Sequence, residues 1–328
     1  MQACTIVNSL SVLAVVTLCG SDVLAQSAPT GPGPAYPIKP VRILTSLPGG
    51  TNDMLARLFA QEFPATLGQP VVVDNRPAVI SIETLAKAPP DGYTLLVQGA
   101  SIWITPLMRE QIPYDPIRDF QPITQIIREV GVLVVHPGVA AKSIKELIAL
   151  AKARPGQLNY GSGASGTSNH LAMELLKSLA GINIVRVPYK SGGMALIGLL
   201  ANEVQMTVDS AGSMMAHLKS GKLNALAVSS TTPSLLMPEL PTIAASGVPG
   251  YDSVAITGFF APGKTPMAIV ERLNREALRV LIKADVKDSL FRSGVEVVTS
   301  SPKEFAAAIQ SDITKWSKVI KDAGIKAD

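Results

Sequence analysis

An α/β protein of two lobes, each a mainly parallel sheet flanked by helices, is predicted by three observations. Short β-branched runs alternate with helical patterns along most of the chain, the signature of repeated βα units. The phrase "GGTNDMLARLF" from Gly49 returns as "SGTSNHLAMELL" from Ser165, an offset of 116 residues, each time after a strand and at the start of a helix. The chain has 328 residues, 47% hydrophobic and 16% charged, which suffices for two cores of about 150 residues each.

The N-terminus precedes this pattern. Residues 10–18, LSVLAVVTL, are apolar but too short to span a bilayer, and Val23 and Ala25 have the spacing a signal peptidase accepts. Residues 1–25 therefore read as a secretory signal cut before Gln26, although the preceding MQACTIVNS carries no Lys or Arg. Cys19 follows the large Leu18, which argues against lipidation. Cys4 and Cys19 are the only cysteines, so the mature chain has none, excluding disulfides, thiol catalysis and cysteine–metal sites. Residues 26–40 form a Pro/Gly-rich flexible leader, and the fold is expected to begin near Val41.

Ten strand-like runs follow: VRILTS, VVVDN, TLLVQG, VLVVHP, LNYGS, NIVRVPY, VQMTVDS, LNALAVSS, VAITGFFAP and VEVVTS. Among the helices between them, Ser143 and Glu146 form a capping box, and that helix stops at Arg154-Pro155-Gly156. Thr265-Pro266 and Ser301-Pro302 each place a hydroxyl cap before a proline, with Glu304 completing a second box. The last helix carries Phe305, Ile309, Ile313, Trp316 and Ile320 at core spacing. The chain is expected to cross to the second lobe around Gln121–Val130 and return around Val254–Phe260. Lobe 1 is then 41–125 with 255–328, and lobe 2 is 126–254.

The repeated phrase carries the chemistry. First-turn N–H groups of a helix have no intrahelical partner, and the helix dipole adds partial positive charge, so an anion is favoured there. Glycine admits close approach, and Ser or Thr adds small donors. Gly166, Thr167 and Ser168 would form such a cradle from one lobe, with Gly50, Thr51 and Asn52 facing it from the other. Thr51 and Thr167 are expected to oppose each other, and Ser191-Gly192 opens a third such helix. Ser101, Ser162, Ser165, Tyr189, Asp53 and Asp209 complete the candidate ligand-binding residues, with Trp103 or Tyr189 as a possible aromatic wall. Hydrogen bonds to a charged acceptor contribute about 1.5–3 kcal/mol each, and micromolar binding needs about 8 kcal/mol. Four to six such donors suffice without a buried Lys or Arg.

Other functions fit less well. Gly161, Gly163 and Gly166 match a dinucleotide fingerprint, but the next strand ends without the acidic residue that would hold a ribose. Neither Ser162 nor Ser165 sits in a G-x-S-x-G frame, and the histidines, His136, His170 and His217, form no evident triad. His170 either lines the cleft or packs beneath it; Asp53 and Asp209 are either cleft groups or hydrogen-bonded struts. No metal site or cofactor is indicated. Net charge is +4, or +5 without the signal (29 basic against 24 acidic residues); with 5% aromatics and no basic run, nucleic acid is not an expected partner.

Six ordered blocks carry a family resemblance: "YPIKPVRILTSLPGGTNDMLARLFAQEF", "LGQPVVVDNRP", "APPDGYTLL", "IPYDPIRDFQPIT", "LNYGSGASGTSNHLAMELLK" and "VPYKSGGMALIGLLANEVQMTVDS". From about Tyr36 to the C-terminus the chain resembles the Bug receptors, the extracytoplasmic solute-binding components of tripartite tricarboxylate transporters. The resemblance implies a type II-like Venus-flytrap protein of the periplasm that traps a small organic carboxylate and delivers it to a membrane permease; a monomer is the default expectation. It maps the ligand carboxylate onto Gly50, Thr51 and Asn52, and onto Ser162, Gly166, Thr167 and Ser168. This chain has "GTND" where the family usually has "GSSD", and Asn75–Glu83 is shorter than the family's glycine-rich counterpart, which puts pocket shape in question. An exported enzyme using Ser165 or Asp209, and a receptor for a signalling partner, remain the alternatives.

Overall fold

The computed structural model describes residues 36–109 and 111–326. The signal segment, both cysteines and the leader as far as residue 35 lie outside the described residues. The leader's last residues belong to the fold: Tyr36 donates its hydroxyl to Gly92 O at 2.6 Å, and its ring meets Tyr93 edge-on. The compact unit accordingly runs from Tyr36, five residues ahead of Val41.

In chain order the first elements are β1 (Val41–Thr45), α1 (Thr51–Glu62), α2 (Pro64–Leu67), β2 (Val71–Asn75), α3 (Ala78–Ala86), β3 (Thr94–Gly99) and α4 (Ser101–Met108). The long β4 (Phe120–Val135) leads to α5 (Ile144–Ala153), β5 (Asn159–Ser162), α6 (Ser168–Ala180) and β6 (Val185–Pro188). Next come α7 (Gly192–Leu200), β7 (Met206–Ser210), α8 (Ala211–Lys219), β8 (Asn224–Val228) and β9 (Val254–Pro262). The chain ends with α9 (Met267–Leu281), α10 (Ala284–Arg292), β10 (Glu296–Val297) and α11 (Pro302–Asp322).

The strands lie in the order β2-β1-β3-β9-β4-β7-β5-β6, with β8 and β10 also on β4. The trios β2-β1-β3 and β7-β5-β6 are parallel, as βα units require. Between them the pairing is antiparallel, because β4 and β9 link the halves in opposite directions. β4 pairs with β9 from Phe120 to Val130, then with β7 and β8 from Gly131 or Val132 to Val135. Its partner thus changes between Val130 and Gly131. The sequence pattern showed only the second half of this strand. The first half contains Pro122, which sits at a register shift where a missing N–H is tolerated.

Capping follows the sequence with two differences. Ser301 and Glu304 form the complete box, and Ser143 Oγ accepts from Glu146 N; but Glu146 reaches back to Lys142 N, one residue beyond the cap. Thr265 is not a cap: α9 starts after Pro266, and the Thr265 hydroxyl donates to Pro262 O at 2.7 Å. The run VEVVTS shrinks to the two-residue β10.

One apolar cluster lies beneath the β1–β3 half, with Phe59, Phe63 and Phe259 mutually packed. A second, containing Trp103, Phe260, Phe305 and Trp316 together with Tyr160, Leu171 and Met206, draws on both halves. The helix α11 packs on β4, α4 and α6, so it stands beside both trios and backs the space between them.

Candidate functional site

That space holds a cavity of about 380 Å³. Gly99, Ala100, Ser101, Ile104, Thr105 and Met108 line it from the start and inner face of α4. Ser165–Ser168 and Leu171 line it from the loop and helix after β5; residues 253–257 line it along β9, and Asp312 and Trp316 from α11. No lysine or arginine is in this lining. Its floor is apolar, from Ile104, Met108, Leu171, Ile256 and Trp316, and its rim carries hydroxyls and backbone.

The loop from Ser162 to Thr167 is shaped by its own helix. Asn169 Oδ1 accepts from Gly163 N at 3.2 Å and from Thr167 Oγ1 at 2.7 Å, and His170 Nδ1 accepts from Gly166 N at 3.1 Å. His170 is buried beneath the loop and braces it. Gly166 has φ +79°, the left-handed region that other residues enter at a cost of about 1–2 kcal/mol. Helix α6 begins at Ser168 with no side-chain cap, whereas Ser143, Ser191, Ser210 and Ser301 cap theirs. The cap residue Thr167 therefore turns no side-chain oxygen onto the first turn of α6, at the edge of a cavity that Ser168 lines. Helix α4, starting at Ser101, is likewise uncapped beside the same cavity.

The sequence phrase at Gly50 looks like this loop but folds differently. Gly50 has φ −97° and is the cap residue of α1, so Thr51 is the first helical residue, while Thr167 is itself the cap of α6. Residues 50–53 do not line the cavity. Asp53 is a strut: its carboxylate accepts from Gly49 N, Asn75 Nδ2 and Arg57 Nε. Burial alone would raise its pKa, but these hydrogen bonds prevail and hold it below the usual carboxylate range. Asn52 donates to Gln98 Oε1 and Ser46 Oγ, and Thr257, which does line the cavity, donates to Asn52 Oδ1 at 3.5 Å. The first loop thus supports the cavity wall from one residue behind it.

Of the other sequence candidates, Ser101 and Ser165–Ser168 reach the cavity. Ser162 is fully buried under the loop. Tyr189 turns away, its hydroxyl donating to Glu203 Oε2 at 3.0 Å and lying against Gly198. Trp103 is no wall either: it is fully buried and donates Nε1–H to Asp312 Oδ2 at 2.8 Å, leaving Trp316 as the aromatic on the cavity. The shortened segment from Asn75 becomes the start of α3, anchored by Ser81 Oγ donating to Thr45 O at 2.8 Å, and none of it lines the cavity.

Asp209 faces a smaller pocket of about 80 Å³ that shares Ser168, Ser253 and Ala255 with the first and is also lined by Glu129. Sequence reading missed Glu129, because nothing local in REVGVLVV marks it. Burial pushes its carboxyl pKa up and the Asp209 charge adds to this, against an opposing hydrogen bond from Ser210. Asp209 is raised by burial too, opposed by Ser210 N–H, Asn169 and Ser213. A raised acid pKa means that the folded state keeps its proton longer than the unfolded chain, so stability falls as pH climbs from the ordinary carboxylate range through the raised value. Glu129→Gln is therefore expected to raise Tm at pH 7 by a few degrees, with the gain shrinking toward zero at about pH 4 and below, where the wild-type group becomes protonated in the unfolded chain as well. Melts at the two pH values check this; an equal gain at both would refute it.

Comparison with known proteins is consistent along the chain. Residues 55–325 match the family described as tripartite tricarboxylate transporter family receptor. Protein BugT of Bordetella pertussis is 33% identical over 297 residues, covering 89% of this chain and 91% of BugT. Among solved structures, R. palustris Rpa4515 with adipate superposes with TM-score 0.75 at 34% identity, covering 89% of this chain and 99% of the other. MatC from Rhodopseudomonas palustris with bound malate gives TM-score 0.70 at 28% identity, covering 87% and 100%. These relatives bear out the periplasmic binding-protein fold class.

Proposed function

The chain belongs to the tripartite tricarboxylate transporter receptor family, and from that membership we propose that it is an exported receptor that captures a small organic carboxylate and hands it to the transporter's membrane subunits. The observation that carries this reading is the uncapped N-terminus of α6 at the rim of a hydroxyl-lined, apolar-floored cavity. A carboxylate at Ser168 would complete the first turn of α6, and its carbon chain would lie on Ile104, Met108 and Trp316. Charge-assisted hydrogen bonds of about 1.5–3 kcal/mol each, from Ser101, Ser165, Ser168 and backbone donors, are of the size micromolar binding needs.

Residues 41–125 with 255–328, and 126–254, are the proposed lobes; β4 changes partner between Val130 and Gly131, five residues inside the second range, and the proposed hinge lies in this stretch of β4. Closure would bring Gly50, Thr51 and Asn52 toward the ligand, which would be bound best by the closed state. The signal segment would be removed near Ala25, and the mature receptor would act as a periplasmic monomer that binds without transforming its ligand. The adipate and malate in the two relatives make dicarboxylates the first acids to try.

A thermal-shift panel on mature protein, unfolded and refolded to strip carried ligand, tests this with adipate, malate, other mono-, di- and tricarboxylates and their neutral amides at pH 7. A ligand at about 100 times its Kd adds roughly 2.7 kcal/mol. At least one acid should stabilise the protein while its amide does not; stabilisation by amides and acids alike would defeat the carboxylate reading.

A further inference from the structure

We propose that Arg186, which lines neither cavity described above, is the positioning residue of the ligand loop and the positive charge behind it. Arg186 sits on β6, the outermost strand of its half, beside Tyr160 of β5. Its guanidinium folds back over the end of β5 and donates three hydrogen bonds into four consecutive residues. Nε reaches Ser162 Oγ at 2.8 Å, Nη2 reaches Gly163 O at 2.9 Å, and Nη1 reaches Ser165 Oγ at 3.0 Å.

Asn169 and His170 of the loop's own helix, and Thr167 bonded to Ala164 O, also shape it, and these would move with α6. The first loop residue is held from outside as well, by Tyr189 N–H donating to Ser162 O at 2.8 Å. Arg186 reaches further in, tying Gly163 and Ser165 to a different element through a charged group. A planar fork with donors in fixed directions suits three acceptors that are not collinear, a geometry an ammonium group cannot reproduce. The loop contains two glycines, one at positive φ, so without an outside tie it would lose shape easily.

The charge matters as well as the fork. Ser165 lines the cavity and accepts from the guanidinium, so positive charge stands one hydroxyl removed from the place where the carboxylate would sit. A charge held there favours an anion without desolvating an arginine against the ligand. The ligand half of this inference rests on the carboxylate reading above; the hold on the loop does not.

Hydrogen–deuterium exchange on ligand-free protein and acid affinity, measured on wild type, Arg186→Met and Arg186→Lys, test both halves. In Arg186→Met the amides of Gly163–Ser168 should exchange at least tenfold faster while distant segments keep their protection, and the Kd for adipate or malate, whichever stabilises the wild type, should rise tenfold or more. Arg186→Lys keeps the charge and loses the fork, so it should recover part of the affinity while the loop still exchanges fast. Unchanged loop exchange in Arg186→Met overturns the positioning role. Fast loop exchange with wild-type affinity overturns its bearing on binding, and equal affinity loss in the Met and Lys variants removes the part assigned to charge. If Arg186→Met fails to fold, Arg186→Lys decides the loop question alone. If no acid binds wild type, the carboxylate reading fails and exchange still decides whether Arg186 holds the loop.

Discussion

Replacing Gly166 with alanine is expected to weaken carboxylate binding by more than tenfold and to lower stability by about 1–2 kcal/mol. Gly166 has φ +79°, where a Cβ is strained whatever the space around it, and that Cβ would also fall 2.2 Å from Met108 Cε. Met108 belongs to α4 and can swing aside, so the fold survives; the cost is paid in the cavity, whose floor Met108 forms. Relief of the strain would rotate the Gly166 peptide and break the Gly166 N–H bond to His170 Nδ1. Gly50→Ala is the control. Gly50 has φ −97° and nothing within 4 Å of the added methyl, so the entropy gain and the poorer cap that alanine makes should leave stability within about 1 kcal/mol of wild type. Urea titration on both variants and acid binding on Gly166→Ala test this; a Gly166→Ala protein that binds as tightly as wild type would refute this account of the loop.

Trp103→Ala is expected to cost about 3–5 kcal/mol. Trp103 is completely buried, packs at a tilt on Phe260 and donates to Asp312, which is 4% exposed. Through that bond α4 is tied to α11, the helix that stands beside both halves. Trp103→Phe keeps most of the ring but removes the donor, leaving the buried Asp312 with Lys315, 3.0 Å from its other oxygen. Its cost should be about 1–3 kcal/mol, since the main loss is the donor to a buried acceptor rather than volume. Denaturant melts should therefore rank wild type above Trp103→Phe and Trp103→Phe above Trp103→Ala; equal losses would mean that packing alone accounts for Trp103.

The elements legible in sequence were those with a local signal. Ser301 with Glu304, Ser143, the apolar spacing of α11 and the β-branched runs all report short-range preferences, and the structure has the corresponding caps, helix and strands. The first half of β4 was hidden because FQPITQII contains a proline and lies at a bulge, so its pairing depends on β9, more than 120 residues away. Thr265 lost its cap role to Pro266 for a similar reason: a local motif had a competing partner in Pro262 O.

The cavity lining was legible on one side. Gly166, Thr167 and Ser168 line it at the start of α6, and a glycine at positive φ followed by a helix start is a local event. The matching phrase at Gly50 misled about shape, since its glycine is extended and its Asp53 is occupied by Arg57, Asn75 and Gly49. Glu129 and Arg186 had no sequence signal at all. Each matters through partners brought to it by the sheet, Asp209 across the β4–β7 pairing and the loop hydroxyls beyond β5.

The central claim is that a ligand carboxylate completes the N-terminus of α6 inside the cavity between the two halves of the sheet. A crystal structure of the mature protein with the acid that stabilises it best tests this directly. We expect a carboxylate oxygen within hydrogen-bonding distance of the first-turn N–H groups of α6, with the rest of the acid against Ile104, Met108 and Trp316. An acid bound with its carboxylate away from Ser168, or in another cavity, would contradict it.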